Sequence, residues 1–140
     1  MSVRDTVLDY YEALRRGEPL YPYFAERPDL VKVGVFSRLV GADAVSEGLR
    51  EQTRTTDDWT VDSHDLRVTE RADHGWFTDR VDLSWTDVAD DATYAFETRW
   101  SGVLTPRGEG ADREWLFVDM HVSAPRDRTV AAADPHEDAT

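Results

Sequence analysis

A chain of 140 residues is the size of one domain and long enough to bury a core. Its 40% hydrophobic content, with five each of Trp, Tyr and Phe, excludes a disordered chain, and no apolar run nears the roughly 20 residues of a membrane span. The lack of cysteine excludes disulfides, thiolate metal sites and a cysteine nucleophile. With 29 acidic against 16 basic residues the net charge is −13, which speaks against nucleic acid or an anionic membrane as partner. Asp outnumbers Glu 19 to 10, and the basic residues are 15 Arg and a single Lys, Lys32. Short, well-hydrated carboxylates and few lysines suit a salt-adapted protein, because concentrated salt screens the self-repulsion. Residues Met1–Tyr10 carry no charged-then-apolar leader pattern, so a cytoplasmic location is expected.

Ser2 is placed to cap a first helix, with Asp5 at its third position, and Val3, Val7, Tyr10, Tyr11 and Leu14 fall on one stripe before Gly17 closes it, giving a helix over 3–16. Pro19 opens a short second helix through Tyr23, Phe24 and Ala25, which must stop before Pro28. Leu30–Phe36 reads as a strand. Ala42, Val45 and Leu49 give a third helix over 42–54, ending in a polar linker, Thr53–Asp58. From there the period changes. Thr60–Glu70, Trp76–Thr86, Thr93–Leu104 and Glu114–Ser123 are rich in β-branched and aromatic residues and predict four strands joined by short loops as an antiparallel meander. Helices followed by strands predict an α+β fold with the helices on one face of the sheet. Residues 1–125 form the domain, and 126–140 read as an acidic flexible tail.

The run Trp115-Leu116-Phe117-Val118-Asp119-Met120-His121-Val122-Ser123-Ala124-Pro125, preceded by Glu97-Thr98-Arg99, resembles the closing strands of the SnoaL-like branch of the nuclear transport factor 2 superfamily. Gly41-Ala42-Asp43-Ala44-Val45 and Trp76-Phe77-Thr78-Asp79-Arg80 resemble the same family, and the likeness spans about 3–125. The resemblance implies a cone in which a strongly bent antiparallel or mixed sheet wraps the first helix and leaves a cavity open at one end. Its members include polyketide cyclases, dehydratases, ketosteroid isomerases, transport adaptors and a kinase association domain, so function must be argued from the site.

On the last strand Trp115, Phe117, Asp119, His121 and Ser123 share one face and Leu116, Val118, Met120 and Val122 the other; a bulge would exchange the two sets midway. His121 is either a general base, with Asp119 its orienting partner or an alternative base, or a pocket or interface histidine satisfied by Ser123 or backbone. The family carries a second histidine where this chain has Asp119. Arg80 and Arg99 match two strand arginines that point into the cavity of the kinase association domain. They are expected in an apolar setting, either braced by internal carboxylates or clamping an anionic ligand or an enolate. Trp76 and Trp115 are candidate cavity-rim residues, Ser123 a candidate wall residue, and Tyr10 and Tyr11 candidates for a buried phenol that is either core or oxyanion donor. His64, His74 and His136 show no metal-ligand spacing, and no cofactor motif is present. The expectation is a homodimer through the outer sheet face, binding a small organic molecule in its cavity without cofactor or metal. The alternative is an isomerase, cyclase or dehydratase that abstracts a proton beside a carbonyl.

Overall fold

A computed structural model describes residues 1–125; the expected acidic tail, 126–140, lies outside the described residues. Helix α1 spans Val3–Arg16. Asp5 N donates to Ser2 Oγ (3.0 Å) and Ser2 N to Asp5 Oδ2 (3.1 Å), a reciprocal cap that satisfies two of the donors a helix start leaves free. At the other end Gly17 takes the left-handed conformation (φ 70°), which glycine adopts without the clash of a Cβ. The predicted stripe of Val3, Val7, Tyr10, Tyr11 and Leu14 is buried.

The segment after Pro19 makes only one 3-10 turn, Tyr21–Tyr23, and Phe24 then bridges to Phe117 as extended chain. Strand β1, Val31–Val33, is shorter than expected, and it turns back through Gly34–Ser37 into β2, Arg38–Val40, which the sequence did not suggest. Helix α2, Ala42–Thr55, runs straight into β3, Thr56–Ser63, so the expected polar linker is helix and strand; Asp58 takes a left-handed φ of 55° where the β3 register shifts. The single strand expected over Thr60–Glu70 is two, β3 and β4 (Arg67–Glu70), both paired to β5. The break falls at Asp65, whose N–H donates to the Asp79 carboxylate at 2.9 Å.

The long strands β5 (Gly75–Asp87), β6 (Ala92–Arg107) and β7 (Glu114–Ser123) pair antiparallel, as the meander required. Strand β1 then joins β7 in parallel, so the sheet is mixed, in the order β2-β1-β7-β6-β5-β3. Burial alternates strictly along β5, with Phe77, Asp79, Val81, Leu83 and Trp85 inward and Trp76, Thr78, Arg80 and Asp82 outward. The inner face meets α1 in one core of Tyr10, Tyr11, Phe77, Trp100, Leu104 and Phe117. Asp79, only 3% exposed, accepts from Tyr11 Oη (2.8 Å), Ser63 Oγ (2.6 Å) and Asp65 N. Three donors meet the demand of a buried carboxylate and tie α1, β3 and β5 together.

Candidate functional site

One detail of β7 decides the site. Asp119 pairs with Val103 but Phe117 pairs with Leu104, so Val118 is an extra residue with no partner and the face exchange admitted by the sequence occurs there. Before it Trp115 and Phe117 point inward; after it Met120 and Val122 do, while Asp119 and Ser123 are half-buried and His121 is exposed on the outer face. Gly102 permits the close approach, since a Cβ there would meet Asp119 O at 2.6 Å and Phe77 Cε1 at 2.8 Å. Because β1 pairs with β7 beyond the bulge, its residues inherit the exchanged parity. Val31 and Val33 lie beside Asp119 and His121, and Lys32 lies beside Met120, 7% exposed and on the inner side.

The inner side there is a cavity of about 440 Å³. Its floor is aromatic, with the Trp59 and Trp85 rings stacked at 4.8 Å and 17°, and Trp100, Tyr10, Leu83, Met120 and Val122 complete the depth. The β1–β2 hairpin closes one side: Gly34 N donates to Ser37 O (2.9 Å) at its tip. There Phe36, though 68% exposed, stands edge-on to Trp85, Tyr94 and Phe96 at 5.5–6.1 Å. Helix α2 supplies Leu49, Glu51, Gln52 and Thr55, and β5 supplies Asp87. Glu51 is paired with Arg54 and Asp87 Oδ1 accepts from Ala89 N and Asp90 N. Lys32 is thus the cation of the cavity; among the described residues it has neither a salt bridge nor a hydrogen-bond partner for its amine. Burial alone pushes its pKa down to about 8, because a low-polarity site penalises the charged form.

The sequence candidates are distributed differently from the expectation. Tyr10 lines the cavity, wholly buried, with its ring edge-on to Tyr23, Phe117 and Trp100; burial pushes its phenol well above the ordinary range. Tyr11 is one residue further round α1 and serves Asp79 instead; burial, then that hydrogen bond, push its phenol higher still. Arg80 and Arg99 are not in an apolar setting: strand alternation turns both outward, where they face each other across β5 and β6 beside His64, Asp82 and Glu97. Among the described residues neither makes an ion pair, so the expected carboxylate brace is absent from the described chain. Ser123 pairs with Arg99 on the same outer face. Trp76 is outside as well, stacked on His74 at 5.6 Å. Trp115 is buried beneath the Arg113 guanidinium (5.0 Å), away from the cavity lining. His121 and Asp119 therefore stand across the sheet from the cavity.

Lys32 belongs to no motif, and its one signal in the sequence is that it is a single lysine against fifteen arginines. No group of three His, Asp or Glu among the described residues is arranged to hold a metal ion, and no helix among them is long and apolar enough to cross a membrane.

Two helices on a large, open, mixed sheet with a cavity on its inner side have the cone fold of the nuclear transport factor 2-like proteins. The SnoaL-like domain model matches residues 3–127, and the chain belongs to that family. Solved structures with the same fold include an NTF2-like protein of Streptomyces avermitilis provisionally named a dehydratase (16% identity, TM-score 0.75, covering 90% of this chain and 95% of that one). A ketosteroid isomerase-like protein of Erwinia carotovora atroseptica (16%, TM-score 0.70, 90% and 95%) is another. A third is an NTF2-like superfamily protein of Salmonella enterica serovar Typhimurium (14%, TM-score 0.71, 88% and 88%). No curated protein matches the sequence significantly.

Proposed function

We propose that this protein captures a small, flat, largely apolar molecule in the cavity, with a polar oxygen of that molecule presented to Lys32. The observation that carries the reading is the cavity itself. Its volume of about 440 Å³ falls within the ~300–1,000 Å³ of small-molecule sites, and such sites join an apolar lining to very few polar groups. Stacked Trp59 and Trp85 offer a flat face, which suits an aromatic or fused-ring ligand. That structural relatives bear dehydratase and isomerase names supports a small-molecule ligand and leaves the reaction open. His121, Asp119, Arg80 and Arg99 have no part in the reading, since the bulge and the strand alternation turn them to the other face.

Two copies meeting over the outer sheet face belong to the same reading. Arg80 and Arg99 form one cross-strand row there and Asp62, Asp82 and Glu97 the next, so a two-fold pairing that lays the basic row of one copy on the acidic row of the other is complementary. Salt adaptation and a cytoplasmic setting rest on the Asp-rich, Lys-poor composition and the lack of cysteine. The test is thermal shift in ~2 M KCl against a panel of fused-ring alcohols, ketones and carboxylates. Stabilisation of the wild type that is kept in Arg99→Ala and reduced in Trp59→Leu supports the cavity; loss in Arg99→Ala alone would move the ligand to the outer face.

A further inference from the structure

We propose that Lys32 is a nucleophilic amine that captures the aldehyde or ketone carbonyl of a cavity ligand as an imine. The inference rests on the cavity reading and adds a covalent step to it. Three features of the amine argue for it. Lys32 is held on the inner side of β1 between Leu39 of β2 and Met120 of β7, both of which line the cavity, so the amine belongs to the ligand's space. The carboxylates that share the lining, Glu51 from α2 and Asp87 from β5, are engaged with Arg54 and with backbone N–H groups, and the phenol that α1 adds to the lining, Tyr10, is kept neutral by burial. Gly34 keeps a side chain away from the amine at the hairpin tip: a Cβ built there would stand 3.6 Å from Lys32 Nζ and crowd Ser37 Oγ at 3.1 Å, so glycine is what leaves the amine uncovered on that side.

A fully charged ammonium in this apolar position is costly unless an anion accompanies it, whereas the free amine is both tolerated there and nucleophilic. Burial pushes the balance toward that form, pulling the pKa down to about 8. The Nζ lone pair forms a bond to the carbonyl carbon while the C=O π pair moves to oxygen, and a proton passes from nitrogen to that oxygen to give a carbinolamine. Expulsion of the hydroxyl with one more proton releases water and leaves the C=N bond. Ser37, which shares the cavity lining with Lys32, offers a hydroxyl to that proton traffic. No oxidant, reductant or cofactor enters the balance, and the reverse reaction with water releases the ligand.

Because Lys32 is the sole lysine, reductive trapping reads the site directly. The full-length protein is incubated with 2-naphthaldehyde and cyanoborohydride at pH 7 in ~1 M KCl, followed by intact mass and peptide mapping. Whatever label the exposed Met1 α-amine also takes, the expected result is a naphthylmethyl group on Lys32, formed on the order of a hundredfold faster than in the urea-unfolded chain because the folded chain holds the larger free-amine fraction. Unreactive 2-methylnaphthalene should slow it, and Lys32→Arg, which keeps the cation and lacks the amine, should abolish it. Equal rates at Lys32 in folded and unfolded chain, or no label on Lys32 in the folded chain, overturns the proposal. Tryptophan signals that respond to 2-methylnaphthalene while Lys32 stays unlabelled would sink the imine and leave the binding reading intact. Labelling of Lys32 that 2-methylnaphthalene does not slow would sink the binding reading and, with it, this proposal's claim on a cavity ligand.

Discussion

Replacing Lys32 by methionine should make the protein more stable, the reverse of the usual result for a buried position. Among the described residues the amine has no partner, and burial pulls its pKa from the ordinary 10.5 to about 8. At 1.36 kcal/mol for each tenfold change in proton affinity, the charged form costs the folded state up to about 3 kcal/mol. The sign of the pH dependence follows from which state holds the proton. Below about pH 8 both folded and unfolded chains carry it and the full penalty stands. Between 8 and 10.5 the unfolded chain keeps a proton that the folded chain has released, so wild-type stability rises with pH there. Methionine has a similar unbranched volume and no charge, so Lys32→Met should gain up to about 3 kcal/mol at pH 7, with the gain shrinking toward pH 9.5. Urea unfolding of both proteins at the two pH values in fixed ~1 M KCl measures it. Taking the difference between the proteins cancels the opposite pH trend of Tyr10 and Tyr11, whose phenols are pushed up. A variant less stable than wild type at pH 7, or an advantage that does not change with pH, would refute an unpartnered cavity amine.

Tyr11→Phe should cost about 1–3 kcal/mol in urea unfolding, because it removes one of three donors to buried Asp79 and leaves that oxygen short of a partner. Trp59→Leu should weaken a fused-ring ligand about two- to tenfold by calorimetric titration, the ~0.5–1.5 kcal/mol of an aromatic pair, while His121→Ala should leave affinity unchanged. Melting temperature should rise steadily from ~0.1 to ~2 M KCl as the net charge of −13 is screened. In sedimentation, Arg99→Glu should shift the protein toward monomer, since it sets acid against the acidic row of a second copy.

The sequence made α1 legible because its stripe, cap and terminal glycine all agreed. The long strands were equally clear, each being a run of aromatic and β-branched residues with turn signals between. The short hairpin β1–β2 was not: three-residue strands carry too little alternation, and β1 is held by a parallel partner nearly ninety positions along the chain, at Val31↔Asp119, which no local pattern announces. Which residues of β7 face the cavity was hidden for the same kind of reason. A bulge at Val118 is a one-residue event with no motif of its own, yet it sends Asp119, His121 and Ser123 outward and brings Met120, and through it Lys32, inward. Arg80 and Arg99 were drawn toward the cavity by positional likeness alone, although alternation with buried Val81 and Thr98 already placed them on the opposite face.

The five tryptophans decide most directly whether the cavity is the ligand site. Trp59, Trp85 and Trp100 line it, whereas Trp76 and Trp115 stand elsewhere. In a two-dimensional nitrogen–proton spectrum each indole N–H gives one signal, to be followed through a titration with 2-methylnaphthalene and then 2-naphthaldehyde. The account predicts that the signals of Trp59, Trp85 and Trp100 move together while those of Trp76 and Trp115 stay in place. Movement of Trp76 or Trp115 with the other three unchanged would contradict it.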